Sequence, residues 1–298
     1  MVGYLFAGQG SQYVGMGKDL CDSFPEARLI FDRADKVLGF SLSSLIFNGP
    51  LEELTKTNNC QPAIVTMSIA CWQVYQVKHS QIDGFMAGLS LGEYSALVAA
   101  GVFSFEDAIY LVRKRGEFME EEAARNPGKM LSIIGLDLIQ VKEICKAAKA
   151  EIANINCPGQ VVISGAQQAI QNAQVLAKEK GAKLAVILEV SGAFHSSFMQ
   201  GASLKLAEEL KKIHMSAPKF PVISNVTAKP ALSVEEIREN LIRQVSGSVL
   251  WEDSVRLILS KGISNFIEFG PGKVLKGLMR RIDSNAQVTN IEKSVDIT

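Results

Sequence analysis

Short apolar runs alternate along this chain with longer amphipathic segments, and this alternation limits the folds that the chain can adopt. The first run, residues 2–6, ends in a glycine-rich turn at residues 8–10. A second run, residues 84–87, is followed by a helix-like segment over residues 90–100. Strand and helix patterns in alternation are typical of an α/β architecture with a largely parallel sheet. At 298 residues, the chain is long enough for one large domain or two unequal ones.

The middle of the chain has an order of elements of its own. Its pattern predicts β-α-β-β-α-β, which is the ferredoxin-like arrangement. We therefore expect residues 127–190 to form a small subdomain inserted into a larger domain made of residues 1–126 and 191–298. The predicted elements of the insert are a strand over 130–135, a helix over 137–148 with Asp137 as its N-cap, strands over 152–156 and 161–164, a helix over 167–180 and a strand over 183–190.

Apart from the two strands described above, most of the predicted elements of the larger domain are helices. Ser104 has an acidic residue three positions later and is the expected N-cap of a helix that continues to about residue 124. After the insert, the pattern predicts a helix over 199–212, a strand over 220–224, helices over 234–244 and 251–261, a strand over 265–268 and a helix over 273–282.

Charge and composition argue against several classes of protein. The chain has 31 basic and 31 acidic residues, and this zero formal charge disfavours nucleic-acid and membrane-surface binding. No apolar run approaches the roughly 18 residues of a membrane span. The five cysteines lack any C-x-x-C spacing and the three histidines are scattered, so we expect reduced thiols in a cytoplasmic protein, without a metal site.

Two glycine patterns near the N-terminus suggest nucleotide binding, and both are incomplete. A dinucleotide fingerprint that begins at Gly8 needs a third glycine where Tyr13 stands. Gly10 and Gly15 have the spacing of a phosphate-binding loop, but Met16 occupies the position of the required lysine. We therefore do not expect cleavage of a nucleotide phosphate.

The pentapeptide from Gly88 to Gly92 fits G-x-S-x-G and lies between a predicted strand and a predicted helix. This is the context of a nucleophile elbow, in which a strained turn exposes a serine at a helix N-terminus. Ser90 is then the candidate nucleophile, and the N–H of Leu91 can help to hold an oxyanion. The alternative is a glycine-rich turn that only packs a helix on a sheet.

A serine nucleophile needs a base, and elimination among the three histidines favours His195. His79 falls in a polar link, and His214 follows two lysines at a predicted helix end, whereas His195 lies in a loop after a strand, where the active sites of open α/β sheets collect. No acidic residue near His195 is an obvious partner, so a main-chain carbonyl could orient the imidazole instead. The alternative is an ordinary loop histidine.

Seven short motifs are spread along the chain: Gly8-Gln9-Gly10-Ser11-Gln12, Gln61-Pro62-Ala63, Gly88 to Glu93, Arg115-Gly116, Asn156-Cys157-Pro158-Gly159-Gln160, Gly192-Ala193-Phe194-His195-Ser196 and Phe269-Gly270-Pro271-Gly272. In the order and spacing of these motifs, the chain resembles the malonyl-CoA:acyl carrier protein transacylases of fatty acid and polyketide synthesis along almost its whole length. The fold of that family is an α/β-hydrolase-like core with an inserted ferredoxin-like subdomain, which agrees with the pattern described above.

The resemblance implies a role for each matching residue. Ser90 would be acylated, with His195 as its base, and the main-chain N–H groups of Gln9 and Leu91 would form the oxyanion hole. Arg115 would pair with the free malonyl carboxylate, although the run Arg113-Lys114-Arg115 alone looks like a solvated helix face. The remaining implied site residues are Gln244, whose main-chain carbonyl would orient the histidine, Phe194, associated with malonyl selectivity, and Gln61 and Asn156 as substrate-binding residues.

One position departs from the family pattern. Leu89 stands where the family commonly has histidine in G-H-S-L-G. Because His195 is present as a base, acyl transfer does not depend on position 89.

The resemblance implies transfer of a malonyl group from malonyl-CoA to an acyl carrier protein, in two half-reactions and without a cofactor. The alternatives are an acyl hydrolase that clears stalled chains from carrier proteins, and a non-catalytic binding module. The carrier proteins of this family are acidic, and we expect a basic face of the last helix to contribute to docking, unless it is an ordinary solvated face. That face consists of Lys273, Lys276, Arg280 and Arg281.

Overall fold

The computed structural model describes residues 1–79 and 82–297, which form two β-sheets surrounded by helices. In chain order the strands are β1 (Val2–Phe6), β2 (Gly84–Gly88), β3 (Lys129–Ile134), β4 (Glu151–Cys157), β5 (Gln160–Gly165), β6 (Leu184–Ile187), β7 (Val249–Leu250), β8 (Asn265–Phe269) and β9 (Gln287–Ile291). The α-helices are α1 (Lys18–Ser23), α2 (Pro25–Leu38), α3 (Leu42–Asn48), α4 (Leu51–Thr55), α5 (Thr57–Lys78), α6 (Gly92–Ala99), α7 (Phe105–Arg125), α8 (Leu138–Ala148), α9 (Gln167–Glu179), α10 (Gln200–Lys212), α11 (Val234–Ser246), α12 (Trp251–Ser260) and α13 (Val274–Ile282).

The first sheet is parallel throughout and has the strand order β2-β1-β8-β9. Its central strand β1 and its neighbour β2 are short apolar runs because helices cover both faces of the sheet. On one face, the rings of Phe6 and Phe269 stack with centroids 5.5 Å apart, and Trp72 of α5 meets Tyr4 edge-on at 5.4 Å. This arrangement confirms the predicted α/β fold class with a parallel sheet.

The second sheet has the order β6-β3-β5-β4-β7 and is antiparallel except for the pairing of β4 with β7. Its first four strands and the helices α8 and α9 follow each other as β-α-β-β-α-β, in agreement with the predicted ferredoxin-like order. β7 comes from much later in the chain, so the sheet is not built from the insert alone. The limits 127–190 stay a prediction.

The two faces of the second sheet have different neighbours. Leu131, Ile133 and Ile163 point to one face and form a core with α8 and α9. Met130 and Val162, which alternate with them, point to the other face and line a cleft. The small sheet therefore supplies one wall of that cleft.

Capping explains where two of the predicted helices begin. The side chain of Ser104 accepts a hydrogen bond from the N–H of Asp107 at the start of α7. Asp137 and Gln140 form a reciprocal capping box at the start of α8. Both N-caps were predicted from the sequence and are confirmed.

Three features differ from the sequence-based expectation. The predicted strand over 220–224 is wrong: Val222 and Ile223 form only single bridges, because the chain turns directly afterwards, with Ala228 donating to the carbonyl of Ser224. The last strand of the insert is shorter than predicted, Leu184–Ile187. The edge strand Gln287–Ile291 lies beyond the last predicted element and was not predicted, because an exposed edge has little apolar patterning.

Within residues 1–79 and 82–297, no helix has the length and the apolar character needed to cross a bilayer.

Candidate active site

Ser90 lies in the sharp turn between β2 and α6, with a left-handed backbone conformation (φ 52°) that is strained for any residue other than glycine. The flanking glycines allow this turn because the backbone passes very close to them. A Cβ atom on Gly92 would lie 2.2 Å from the carbonyl oxygen of Phe6, and one on Gly88 would lie 2.0 Å from the backbone of Gly92. The G-x-S-x-G pattern therefore meets a steric requirement of this strand–turn–helix.

The structure brings Ser90 and His195 together from positions 105 residues apart. The Oγ atom of Ser90 lies 2.7 Å from Nε2 of His195, and Nδ1 of the same ring lies 2.8 Å from the main-chain oxygen of Gln244. A carbonyl only accepts, so Nδ1 carries the proton and Nε2 is free to accept the serine proton. The loop that carries His195 is anchored to β5, because the hydroxyl of Ser164 donates to the carbonyl of Phe194 at 2.5 Å.

Burial lowers the pKa of His195 to about 4, and the positive charge of Arg115 acts in the same direction. Hydrogen bonds to the main-chain carbonyls of Gln244 and Gly247 oppose this shift without cancelling it. The imidazole is therefore neutral at neutral pH, which is the form that can accept a proton from a serine.

Arg115 is turned inward from α7 and is almost completely buried. Its Nη1 donates to Oε1 of Gln61 at 2.9 Å. Its Nη2 lies 3.1 Å from Oε1 of Gln244 and 3.2 Å from Oγ of Ser90. These partners are neutral, and Arg115 forms no ion pair among the described residues. Because a buried charge without a counter-charge is unfavourable, this guanidinium is suited to bind an anionic group.

The neighbours of Arg115 in the sequence behave differently. Arg113 and Lys114 both form ion pairs with Glu117 on the surface of α7. The interpretation as a solvated helix face therefore holds for these two residues and not for Arg115, because a helix turns each successive side chain by about 100°.

The predicted oxyanion-hole residues lie beside Ser90. Leu91 follows it directly, and Gln9, in the turn after β1, lines the same cleft. In the part of the chain that the structure describes, neither main-chain N–H donates to a backbone carbonyl. Both groups are thus available to an oxygen that carries negative charge. Leu89 also lines the cleft.

A cleft of about 690 Å³ separates the turn at Ser90 from the small sheet. Ser90, Arg115 and His195 lie on its wall together with the predicted residues Asn156 and Phe194. Gln61 and Gln244 are fully buried behind this wall and reach the site through Arg115. All predicted substrate-binding residues are thus brought to one place, either on the cleft surface or directly beneath it.

Two further polar residues contact the site, and neither was predicted as a site residue. The side chain of Asn225 bonds to the backbone on both sides of Ser90. Glu93 is buried, and burial raises its pKa to about 7, although hydrogen bonds from Asn225 and Gln244 and the charge of Arg115 lower it. A lone asparagine directly after a predicted strand carries no sequence signal that could reveal such a role.

The other histidines lie elsewhere. His79 stacks on the ring of Tyr75 with centroids 4.1 Å apart, at the end of α5. Among residues 1–79 and 82–297, no group of three or more His, Cys, Asp or Glu side chains is arranged to hold a metal ion.

The family model of the acyl transferase domain matches residues 3–294 of this chain. The chain belongs to this acyl transferase family. A curated family member from Bacillus subtilis (strain 168), a malonyl CoA-acyl carrier protein transacylase, is 48% identical over 287 residues, which is 95% of this chain and 90% of the relative. The resemblance to the malonyl-CoA:acyl carrier protein transacylases is therefore confirmed.

Solved structures of acyl transferases agree with this assignment. An acyl carrier protein S-malonyltransferase from Vibrio cholerae is 39% identical, with a TM-score of 0.96 and 99% and 98% of the two chains covered. A malonyl-transacylase solved in complex with its type II polyketide synthase acyl carrier protein is 41% identical, with a TM-score of 0.97 and 99% and 97% covered.

Proposed function

We propose that this chain transfers a malonyl group from malonyl-CoA to the phosphopantetheine thiol of an acyl carrier protein, for fatty acid or polyketide synthesis. The observation that carries the proposal is the buried guanidinium of Arg115, 3.2 Å from the Ser90 hydroxyl. A malonyl ester on Ser90 would place its free carboxylate within reach of this group. The named relatives have the same activity. All five cysteines are free and buried, as in a protein of the reducing cytoplasm, which is the compartment that we expect.

In the first half-reaction, Nε2 of His195 accepts the proton of Ser90 while Oγ attacks the thioester carbon of malonyl-CoA. The N–H groups of Gln9 and Leu91 stabilise the oxyanion that forms. The C–S bond then breaks, and His195 returns its proton to the sulfur of CoA. The product is a malonyl ester on Ser90, and the imidazole is neutral again.

In the second half-reaction, the carrier-protein thiol repeats these steps in the opposite direction. His195 takes the thiol proton, the sulfur attacks the ester carbon, and the proton returns to Ser90 as its C–O bond breaks. Because a thioester is already activated, a main-chain carbonyl on Nδ1 is a sufficient partner for the base, and no acidic third residue is required.

Selectivity for malonyl follows from the groups around Arg115. Gln61 and Gln244 fix its guanidinium plane before substrate arrives, so that its planar fork is preorganised for a carboxylate. Phe194, which lines the cleft beside His195, limits the space next to the malonyl methylene group. The substrate of a hydrolase that acts on neutral acyl chains would carry no anionic group to pair with the buried guanidinium of Arg115.

The proposal is tested by following the fate of the acyl group. With malonyl-CoA and a carrier protein, we expect malonyl to appear on the carrier protein much faster than free malonate appears, as measured by intact mass spectrometry and chromatography. Transfer to the thiol distinguishes a transacylase from the alternative acyl hydrolase. Release of malonate as the main product would contradict the proposal.

We also propose that the basic face of α13 contributes to carrier-protein docking. Lys273, Arg280 and Arg281 are exposed, whereas Lys276 is half-buried. Val274 and Leu278 of the same helix line the cleft, so this face borders the entrance. Arg281 also donates to Gln160 at 2.6 Å, so it holds part of the rim.

Reversing two of these charges, in the double variant Lys273→Glu/Arg280→Glu, is expected to raise the KM for the carrier protein by about 10-fold at low salt, since rim charges steer association. The effect should shrink as salt is added. The formation of malonyl-Ser90 from malonyl-CoA should not change. The matched control is Lys142→Glu/Lys146→Glu on α8, which covers the opposite face of the small sheet. Equal effects of both double variants would refute the assignment.

A further inference from the structure

A buried polar network lies directly behind Ser90, outside the cleft. Asn225 is fully buried in the segment between α10 and α11. Its Oδ1 accepts the N–H of Ser90 at 2.6 Å, and its Nδ2 donates to the carbonyl of Gly88 at 2.8 Å. One side-chain amide therefore bridges the two arms of the turn that carries the proposed nucleophile.

The turn needs such a bridge for two physical reasons. Ser90 lies beyond the last residue of β2, so its N–H takes no part in the ladder and would be left unpaired in the interior. Its left-handed backbone conformation is also strained and persists only where the surroundings over-determine it. The amide of Asn225 satisfies both backbone groups in a single planar unit.

Glu93 fixes this bridge to the rest of the site. Its Oε2 accepts the main-chain N–H of Asn225 at 3.1 Å and Nε2 of Gln244 at 2.7 Å. The same Nε2 donates to the carbonyl of Ser90 at 2.9 Å. Both amide hydrogens of Gln244 are thus committed, and its Oε1 has to face Arg115. One carboxylate oxygen links the Asn225 segment, α11 and α6.

We propose that Asn225 and Glu93 are positioning residues for the nucleophile. Asn225 holds the strained turn of Ser90, and Glu93 holds Asn225 and Gln244 in the positions from which they bond to that turn. The proposal rests on the proposed function only in taking Ser90 as the nucleophile. Neither side chain lines the cleft, so neither touches the substrate.

The contacts determine which variants should matter. Asn225→Ala removes both bonds to the turn, and the nearly isosteric Asn225→Asp places an acceptor against the Gly88 carbonyl. Glu93→Ala removes the shared acceptor, whereas Glu93→Gln keeps an oxygen for the same two donors. If Glu93 acts by holding its two donors in place, Glu93→Gln should retain most of the Ser90 reaction rate that Glu93→Ala loses.

The experiment measures how fast Ser90 reacts, using two reagents. One is a fluorophosphonate, which labels activated serines of any enzyme, and the other is malonyl-CoA in a single turnover followed by intact mass. Asn225→Ala, Asn225→Asp and Glu93→Ala are expected to react about 10²-fold more slowly, the effect of a small misplacement of a reacting group. The final labelled fraction and the affinity for CoA should not change. Glu93→Gln should stay within about threefold of the unaltered chain.

The matched control is Asn290→Ala. Asn290 is a buried asparagine whose Nδ2 donates to the buried carboxylate of Glu268 at 2.8 Å, and it makes no contact with the Ser90 turn. This variant should lower the melting temperature without changing the labelling rate. If a substitution of Asn225 prevents folding, as seen by circular dichroism, the pair Glu93→Ala and Glu93→Gln still tests the proposal.

Two results would overturn it. One is an unchanged labelling rate in folded Asn225→Asp and Glu93→Ala, and the other is an equal loss in Asn290→Ala, which would indicate general destabilisation. Failure of the proposed function looks different. If the unaltered chain reacts with the fluorophosphonate but never takes malonyl from CoA, the transferase assignment fails, while the labelling rates still decide the roles of Asn225 and Glu93.

Discussion

Arg115→Ala is expected to lower kcat/KM for malonyl-CoA by about 10³-fold. In the proposed complex, Arg115 and the malonyl carboxylate form a buried, hydrogen-bonded charge pair, and removing one member of such a pair costs about 3–5 kcal/mol. The rate with acetyl-CoA, which has no free carboxylate, should change much less. Arg115→Lys should recover only part of the malonyl rate, since an ammonium group cannot bind a carboxylate bidentately. The measurement is the steady-state transfer rate with each donor.

A matched control is available on the same helix. Arg125 is exposed in the last turn of α7, and Arg125→Ala should leave both donors unaffected. A parallel loss of malonyl and acetyl transfer in Arg115→Ala would show that the guanidinium supports the site in general, through Ser90 and Gln244, and does not read the carboxylate.

Ser90→Ala is expected to abolish the malonyl adduct and to lower transfer by about 10⁴- to 10⁶-fold, as the loss of a nucleophile does in serine enzymes. Intact mass spectrometry after mixing with malonyl-CoA should show one added malonyl group on the unaltered chain and none on the variant. Binding of malonyl-CoA should persist, because Arg115 and its partners Gln61 and Gln244 remain in place.

Ser95→Ala is the control for this loss. Ser95 lies within α6, is fully buried, and its Oγ has no hydrogen-bond partner among the described residues, so its removal leaves no other group unpaired. The variant should form the adduct normally. A malonyl adduct that persists in Ser90→Ala would remove Ser90 from the mechanism.

The parts of the fold and site that local patterns encode could be predicted from the sequence. Residues close together in the sequence specify the strands β1 and β2, the elbow at Ser90, and the helix N-caps at Ser104 and Asp137. Arg115 could be separated from Arg113 only through the family resemblance, because an inward-facing arginine looks the same in the sequence as a solvated one.

The rest of the site depends on contacts between distant segments. Asn225 bonds to Ser90 across 135 positions, and Gln244 bonds to Glu93 across 151. No local period relates such pairs, and the apolar residues before Asn225 predicted a strand where the structure has only single bridges followed by a turn. Residues that only support reacting groups are therefore the ones that a single sequence hides.

The way in which the small sheet is joined to the larger domain limits how the protein can be recombined. β7 pairs with β4 of the small sheet, and the N–H of Leu250 in β7 donates to the carbonyl of Asn225. Ser164 of β5 holds the loop of His195 through Phe194. A chimaera that grafts the predicted insert, residues 127–190, from a relative to alter acyl preference therefore also replaces the support of the proposed general base, His195. Such grafts should be designed with the 191–199 and 245–250 segments of the same donor.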